Sequence, residues 1–394
     1  MPADLKLKVK PEDFTVEELA SLPFKDSGQY SVFRLTKKGW NTVELLRKIS
    51  RDLKIPYKNF SYGGRKDRHA LTSQYITIKN CDKIALKEDN YSLEFEGFTA
   101  RPMGPDMIEG NKFEVAVRKL NGEEIKSAEK EILKVTKYGY PNYFDDQRFG
   151  SFDKDQGFIA EKILKKHYNG ALKIYLTSIY SGDKKDEKER KQFLFENWKN
   201  WEICLNNAKT DFEETAFESL LKTAKGFLPL IKLIPGEEMS MFISAYQSHL
   251  WNELAGEIIS QKTGQFSIYK GAVSDYIFYG SLEEKDFKYL EELYLPAPDS
   301  RVKMPDELSL SVYNGILEDN GLKPSVFGKM KISQAFFKSF KRKAIIIPGK
   351  FSFTVLDDEI YKGKQKLVLK FTLPRGSYGT MLIKRLFSVV KAKI

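Results

Sequence analysis

The sequence is poor in the residues that bind soft metals or form disulfides. Of 394 residues only two are cysteine and three are histidine. Cys81 and Cys204 cannot build a disulfide framework, and such scarcity is typical of a reducing compartment, so we expect a cytoplasmic protein. A structural zinc site would need ligands gathered from scattered positions, namely the cysteines and His69, His167 and His249. We therefore expect no metal.

Several motifs are also missing. The sequence contains no GxxxxGK[ST], no HExxH, no paired CxxC and no glycine-rich dinucleotide fingerprint after a strand. These absences exclude P-loop, common zinc-hydrolase and dinucleotide-binding functions. No apolar run is long enough to cross a bilayer, and the first residues do not have the pattern of a signal peptide. We therefore expect no membrane association.

Positive charge is concentrated at the two ends of the chain. The net charge is +11, but residues 1–80 carry 16 Lys/Arg against 9 Asp/Glu, and residues 329–394 carry 16 against 3. Residues 81–328 carry 33 against 42 and are net acidic. If the ends fold together, they form one basic face suited to a nucleic-acid backbone. The alternative is a solubilising surface.

Hydrophobic periodicity predicts a strand-rich start, a helical middle and a strand-rich end. The predicted strands are Leu5–Val9, Phe14–Glu18, Tyr30–Leu35, Tyr57–Tyr62, Gln74–Ile78, Leu93–Phe98, Phe113–Val117, Ala344–Ile347, Phe351–Leu356 and Lys364–Leu373. The predicted helices are Thr42–Leu53 (capped by Asn41), Glu123–Tyr138, Gln156–His167, Ala171–Tyr180, Asp186–Asn206, Glu213–Ala224, Met239–Gln261 and Thr380–Val390. This order indicates an α+β fold with a mainly antiparallel sheet and helices on one side. We expect a discontinuous sheet domain (residues 1–152 and 339–394) with an inserted, mainly helical domain (residues 153–338).

One loop stands out as a candidate catalytic centre. Gly63 and Gly64 permit a tight turn, and they precede Asp67, which lies between Lys66 and Arg68. Neighbouring cations favour the charged form of a carboxylate, which suits a group that acts as an anion. An exposed basic turn with an ordinary aspartate is the alternative.

Two further stretches combine aromatic and polar residues. Tyr140–Gly150 holds four aromatic residues, two amides and an arginine, and could alternatively be a domain hinge with its own aromatic cluster. In Ala245–Asn252, His249 could contact RNA or could be a structural histidine between helices. Aromatic platforms suit bases that have left a stack.

Five motifs in order resemble the tRNA pseudouridine synthase D (TruD) family. They are Lys10-Pro11-Glu12-Asp13-Phe14, Gly64-Arg65-Lys66-Asp67-Arg68-His69-Ala70-Leu71-Thr72, Gly110-Asn111-Lys112-Phe113, Pro141-Asn142-Tyr143-Phe144…Gln147-Arg148-Phe149-Gly150 and Leu373-Pro374-Arg375-Gly376-Ser377-Tyr378. Ser244–Asn252 matches more weakly. The resemblance implies a pseudouridine-synthase catalytic domain with an inserted TRUD domain. It also implies an isomerase that converts a uridine in tRNA, typically position 13 in bacterial members, without metal or cofactor.

The resemblance also assigns site residues. Asp67 falls on the catalytic aspartate, and Phe14, Asn111 and Tyr378 fall on positions that bind the target nucleotide. Tyr378 stands where phenylalanine is common, so its hydroxyl could add a hydrogen bond. Lys8 lies where a basic partner of the aspartate is expected.

The implied chemistry leaves two routes open, because Asp67 could attack C1′ or remove the 2′ proton. Arg68 or Lys8 would keep the carboxylate ionised, and Phe113 falls where the family has an aromatic residue in the pocket. Phe14, Phe113 and Tyr378 would hold the ring while it rotates, and Asn111 would read a uracil edge.

Other functions remain possible from the sequence. A non-catalytic tRNA-binding or tRNA-folding protein could use the same scaffold. A different tRNA-modifying enzyme, such as a methyltransferase, would require a glycine-rich nucleoside pocket that the sequence lacks. We expect a monomer, because no heptad repeat or exposed apolar stripe is present.

Overall fold

A computed structural model describes residues 5–180, 182–223, 226–328, 330, 332, 334–388 and 391–392. The chain divides into two compact units. Unit 1 is Met1–Tyr140 with Ile346–Val389, and unit 2 is Pro141–Ile345 with Val390–Ile394. In the described part of the chain, no helix has both the length and the apolar character that a membrane span requires.

The described strands and helices follow the expected order of a strand-rich start, a helical middle and a strand-rich end. The strands are β1 (Phe14–Ala20), β2 (Tyr30–Lys37), β3 (Phe60–Tyr62), β4 (Leu71–Lys79), β5 (Leu86–Glu88), β6 (Tyr91–Thr99), β7 (Ile108–Leu120), β8 (Tyr140–Pro141), β9 (Gln265–Lys270), β10 (Asp275–Tyr279), β11 (Tyr294–Pro296), β12 (Lys341–Lys343), β13 (Ile345–Ile346), β14 (Gly349–Asp357), β15 (Gln365–Pro374) and β16 (Lys391–Ala392). The helices are α1 (Thr42–Asp52), α2 (Gly122–Tyr138), α3 (Ile159–Leu164), α4 (Tyr168–Thr177), α5 (Lys185–Glu196), α6 (Trp201–Asn206), α7 (Asp211–Lys222), α8 (Phe227–Ile231), α9 (Gly236–Lys262), α10 (Glu284–Glu292), α11 (Glu307–Asp319) and α12 (Gly379–Leu386).

The centre of unit 1 is one sheet built from both ends of the chain. Its strand order is β14-β15-β7-β1-β4-β2-β6-β5, and β3 pairs with β4. Only β1 and β4 run parallel among these described pairs; the others are antiparallel. The predicted α+β fold with a mainly antiparallel sheet is therefore confirmed. Strands β14 and β15, from the basic C-terminal end of the chain, lie in the same sheet as the strands from its basic N-terminal end.

Helix α1 forms as its sequence predicts. The Asn41 side chain accepts a hydrogen bond from the Val43 N–H at 2.9 Å, which satisfies one of the free donors at the helix start. The apolar side of α1 packs into a cluster with the inward residues of β2, β4 and β6. Since burial of each large aliphatic side chain contributes roughly 1.5–3 kcal/mol, this cluster rigidifies the strands that flank the Asp67 loop.

Three local predictions are wrong. Leu5–Val9 is not a strand but a single bridge between Lys6 and Arg118, since Lys8 has a φ of +54° and extended pairing cannot continue through it. Tyr57–Tyr62 begins with a 3₁₀ turn before β3. Residues 186–206 form two helices, because the Asn200 side chain caps a new start at Trp201.

Unit 2 is mainly helical around α9, and its start differs from the predicted domain boundary. The units divide after Tyr140 and after Ile345, whereas the predicted boundaries were 152/153 and 338/339. The reason lies in the Tyr140–Gly150 stretch, where Phe144 packs edge-on against Trp251 of α9. The Phe144 N–H donates to Asn252 Oδ1, and the Phe144 carbonyl accepts from Asn252 Nδ2, both at 2.8 Å. The assignment of unit 2 as an inserted domain stays a prediction.

Candidate active site

The loop before β4 is held by three buried polar side chains of unit 1. Lys37 donates to the carbonyl oxygens of Asp67 at 2.9 Å and of Lys66 at 3.3 Å. The Lys66 N–H donates to Thr42 Oγ1 at 3.0 Å, and Gln74 Nε2 donates to the Gly64 carbonyl at 3.0 Å. The loop backbone is therefore bound to β2, α1 and β4 rather than free to move.

Lys37 supports this loop from inside the sheet. It follows Phe33 and Leu35 in the alternation of β2, so all three share the buried face. Burial lowers the pKa of Lys37 to about 8, although the nearby Asp67 charge opposes that shift. The ammonium offsets part of its desolvation by bonding three carbonyl groups, the third being that of Trp40 at 2.8 Å.

The Asp67 carboxylate has a defined partner on each oxygen. Lys8 Nζ donates to Oδ2, and the His69 N–H donates to Oδ1 at 2.8 Å. Burial opposes ionisation of Asp67, but the hydrogen bonds from Lys8 and His69 and the charge of Lys8 outweigh it, so its pKa lies below the usual value. The side chain remains 27% exposed. Asp67 is thus an ionised carboxylate that a ligand can reach.

A second ion pair lies beneath the loop. Lys66 Nζ is 2.8 Å from Glu18 Oε2 and donates to Asn111 Oδ1 at 2.6 Å. The Glu18 side chain is 0% exposed, and its Oε1 accepts from the Tyr75 N–H at 3.1 Å. Because Lys66 occupies the Asn111 oxygen, the Asn111 amide group has a fixed orientation.

The sheet register places the aromatic residues beside these charges. Phe14 pairs with Val115, Val16 with Phe113 and Glu18 with Asn111, and directly opposed residues point to the same face. Phe14 and Phe113 pack edge-on with ring centroids 6.1 Å apart. Each ring is only 5% exposed. They therefore form a floor rather than an open stacking surface.

Both aromatic rings of the floor also have partners outside their own pair. Lys8 Nζ lies 4.5 Å above the Phe14 centroid, and Phe113 stacks on Phe371 at 5.2 Å. Lys8 therefore contacts both the carboxylate of Asp67 and the aromatic floor.

The start of α12, directly after Tyr378, approaches the same floor. A Cβ built on the next residue, Gly379, would lie 3.0 Å from two atoms of the Phe113 ring and 3.5 Å from Phe14. Glycine at position 379 thus permits the helix start to approach the rings. The Tyr378 side chain is half-buried, and its carbonyl accepts from Tyr140 at 3.5 Å.

Arg68 does not contact the carboxylate among the described residues. It is exposed, its Nε donates to the Gly39 carbonyl at 3.3 Å, and its own carbonyl accepts from the Gly39 N–H at 3.1 Å. Of the two cations expected to keep Asp67 ionised, Lys8 makes the contact and Arg68 holds the outer side of the loop.

The groups around Asp67 suit an anionic or nucleotide ligand better than a metal. No three His, Cys, Asp or Glu side chains in the described ranges come together as a metal site requires. The neighbours of Asp67 are instead ammonium groups, backbone N–H groups and aromatic rings. The expectation that no cofactor is used stays a prediction.

Sequence reasoning missed Glu18 and Lys37 as parts of the site. A signal was present in both cases, since each is a charged residue at an inward position of an alternating strand: Phe14, Val16 and Glu18 in β1, and Phe33, Leu35 and Lys37 in β2. A buried charge requires a partner, and both were placed to meet the Asp67 loop.

His249 in unit 2 is a structural histidine. It is mostly buried and packs against the rings of Phe149, Phe158 and Tyr246. Burial lowers its pKa to about 4, so it is neutral at physiological pH. The structure therefore favours the helix-contact alternative over RNA contact for this residue.

Comparison with known proteins gives the class and the family. The family model for tRNA pseudouridine synthase D (TruD) matches residues 2–386. The tRNA pseudouridine synthase D of Leptospira interrogans is 34% identical over 389 residues, covering 96% of this chain and 95% of that protein. The protein of the same name from Aquifex aeolicus is 32% identical, with 98% of each chain covered.

A solved structure shows the same fold. A crystal structure from Methanosarcina mazei, whose name assigns it to TruD, superposes with a TM-score of 0.73 at 22% identity, covering 97% of this chain and 93% of that one. The fold and the comparisons together define a pseudouridine synthase. The chain belongs to the tRNA pseudouridine synthase D family, whose members are isomerases that make pseudouridine in tRNA.

Proposed function

We propose that this chain converts one uridine of a tRNA, at position 13, to pseudouridine, with Asp67 as the catalytic residue. The observation that carries the proposal is the pairing of Asp67 with Lys8 above an aromatic floor. An ionised, reachable carboxylate of this kind can stabilise positive character at a sugar carbon or accept a proton. The position number comes from the family resemblance.

The reaction requires only rearrangement within one nucleotide. The C1′–N1 bond breaks, uracil rotates, and a C1′–C5 bond forms, after which C5 loses a proton and N1 gains one. Atoms and electrons balance without a redox partner or a group donor, which is consistent with a cofactor-free site. Asp67 acts either as nucleophile at C1′ or as base toward the 2′ proton.

The remaining site residues have proposed binding roles. The target base leaves its stack at a cost of a few kcal/mol, which contacts to the flipped nucleotide must offset. Tyr378 is the half-buried ring that can cover uracil, while Phe14 and Phe113 form the floor beneath it. Asn111, oriented by Lys66, presents its amide N–H₂ to a uracil carbonyl.

The role of Arg68 in this scheme is peripheral. It is exposed on the outer side of the loop, where its charge can contact a phosphate of the RNA. Phosphate contacts of this type add affinity without specifying the base. The concentration of basic residues in both ends of the chain supports tRNA as the partner.

The test is Asp67→Asn in the full chain, assayed by tritium release from tRNA labelled at C5 of uridine. We expect the rate to fall by roughly 10²–10⁴-fold or more. tRNA binding should persist, because neutralising a carboxylate does not weaken contacts with phosphates. Asp52→Asn, an exposed aspartate on α1, is the matched control and should keep the parent rate.

Two outcomes would contradict the proposal. If Asp67→Asn releases tritium at the parent rate, Asp67 is not catalytic. If the parent binds tRNA but forms no pseudouridine, the chain is a tRNA-binding protein on this scaffold. Mapping pseudouridine in the product tRNA tests position 13 separately.

A further inference from the structure

The N-terminal segment that carries Lys8 is anchored at both ends by one residue of β7. Before Lys8, the backbones of Lys6 and Arg118 exchange hydrogen bonds of 3.0 and 3.4 Å. After Lys8, the Arg118 guanidinium bonds both carboxylate oxygens of Asp13 at 2.7–2.9 Å. Lys8 itself is held in the left-handed region, with φ at +54°.

Arg118 lies in a buried cluster of charges rather than on the surface. Its side chain is almost fully buried, and besides Asp13 it bonds Asp358 at 2.9 Å and Glu359 at 2.9 Å. Asp358 belongs to the turn between β14 and β15 and also accepts from the Lys119 N–H at 3.0 Å. Arg118 thus connects the N-terminal segment to the C-terminal hairpin through bidentate and single contacts.

Asp13 transmits this anchoring to the residues near the site. Its Oδ2 accepts from the Lys10 N–H at 3.1 Å and so fixes the turn between Lys8 and Phe14. Lys8 Nζ contacts the Asp67 carboxylate and the face of Phe14, the residue that follows Asp13. A movement of this turn would therefore move the Lys8 ammonium away from the Asp67 carboxylate, whose ionised form it favours.

We propose that Arg118, through its contact with Asp13, is a positioning residue that keeps the Lys8 ammonium on Asp67. It touches neither the substrate nor the reacting atoms. The inference rests on the proposed catalytic role of Asp67, because a displaced Lys8 is detected through the ionisation of Asp67. Loss of the Asp13 contact leaves Lys8 in the protein but lowers its occupancy beside the carboxylate.

Other charged groups near Asp67 stay in place when this contact is lost. His69 donates its backbone N–H, and the charge of its side chain also favours the ionised form of Asp67. Lys37 bonds the Asp67 carbonyl, and the Lys66–Glu18 pair lies beneath the loop. None of these contacts involves Asp13 or Arg118. A change in the ionisation of Asp67 on altering Asp13 would therefore be traced to Lys8.

The chain offers a matched pair of variants. Asp13→Asn and Asp358→Asn each neutralise one buried carboxylate that bonds the same guanidinium, so both should lower thermal stability. Of these two carboxylates, Asp13 is the one that accepts from the Lys10 N–H in the turn after Lys8. The other contact of this turn, from Lys10 Nζ to Glu359 at 3.2 Å, keeps both of its partners in either variant. In single-turnover pseudouridine formation between about pH 4.5 and 8, we expect Asp13→Asn to lose activity as the pH falls, whereas the parent and Asp358→Asn keep a flatter profile.

A double-mutant cycle with Lys8→Met gives an independent readout. At neutral pH, Asp13→Asn alone should slow the reaction by about tenfold to 100-fold, as expected for a displaced catalytic contact. In the Lys8→Met background the same change should slow it less than about twofold, since the contact it positions is already gone. Arg118→Lys, which keeps the charge but loses the bidentate fork, should behave like Asp13→Asn.

Either of two results would overturn the inference. One is a pH profile of Asp13→Asn that matches the profile of Asp358→Asn. The other is a double-mutant cycle in which the rate effects of Asp13→Asn and Lys8→Met are fully additive. Failure of the proposed function is a different result, because Asp67→Asn would then remain active. An inactive Asp67→Asn together with an unchanged Asp13→Asn profile would refute the positioning role alone.

Discussion

Replacing Lys66 with methionine should destabilise unit 1 more than replacing its ion-pair partner, Glu18, with glutamine. Lys66 is the cation beside Glu18, whose side chain is 0% exposed. Lys66→Met leaves a buried carboxylate whose one hydrogen-bond donor among the described residues is the Tyr75 N–H, at 3.1 Å. Breaking a buried pair by removing one partner costs about 3–5 kcal/mol. That is a large share of the roughly 5–15 kcal/mol that stabilises a typical domain.

The reverse substitution should be milder. Glu18→Gln keeps an oxygen for the Tyr75 N–H and leaves Lys66 bonded to Asn111, so we expect a loss of about 1–2 kcal/mol. The double variant Lys66→Met/Glu18→Gln removes the uncompensated charge. It should therefore be more stable than Lys66→Met alone, although it carries one more substitution.

The assay is urea denaturation of the full chain, with hydrogen exchange of peptides from β1 and β4 to assign the loss to unit 1. Both variants that lack Lys66 should also lose catalytic rate, because Lys66 orients Asn111, whereas Glu18→Gln should keep most of it, because Glu18 is fully buried and Lys66 stays on Asn111. If Glu18→Gln costs more stability than Lys66→Met, or if the two losses simply add in the double variant, the buried-charge reasoning is wrong.

Two further predictions concern Lys37 and Gly379. Because the folded-state pKa of Lys37 is about 8, against an ordinary value of 10.5, the unfolded chain binds more protons between these pH values, so the free energy of unfolding should rise with pH there. Denaturation across this window should show the rise in the parent but not in Lys37→Met; an equal rise in both would contradict it. Gly379→Ala should cost about 1–3 kcal/mol and slow pseudouridine formation, since its Cβ would press on Phe113. Gly122→Ala, also at the first position of a helix but with no atom within 4 Å of the added Cβ, is the control and should be neutral or stabilising; equal effects of the two would exclude the steric cause.

Most of the fold of unit 1 could be predicted from local pattern. Alternation in β1, β2 and β15, and the Asn41 cap of α1, are properties of adjacent residues, so the sequence displays them directly. The Lys6–Arg118 bridge could not be predicted in this way. It depends on a partner more than 100 residues away and on a left-handed Lys8, which no local propensity favours.

In the site, too, the features set by adjacent residues could be predicted, whereas those set by contacts between distant segments could not. The Asp67 loop and its cations are contiguous in sequence, and the family motifs include Phe14, Asn111 and Tyr378. The choice between Lys8 and Arg68 as partner of Asp67 depends on how two distant segments meet, and only the structure decides it. Glu18 and Lys37 were detectable in principle, because a charge at an inward strand position cannot remain without a partner.

The identity of the cation beside Asp67 affects what the carboxylate can do. A lysine ammonium is a compact charge that bonds one oxygen, here Oδ2, while Oδ1 accepts a single backbone N–H from His69. Each oxygen therefore keeps a lone pair for a sugar carbon or a proton. An arginine in a bidentate arrangement would engage both oxygens, as Arg118 does with Asp13. Unit 1 thus places a guanidinium on Asp13, which holds the chain, and an ammonium on Asp67, the carboxylate that we propose to be catalytic.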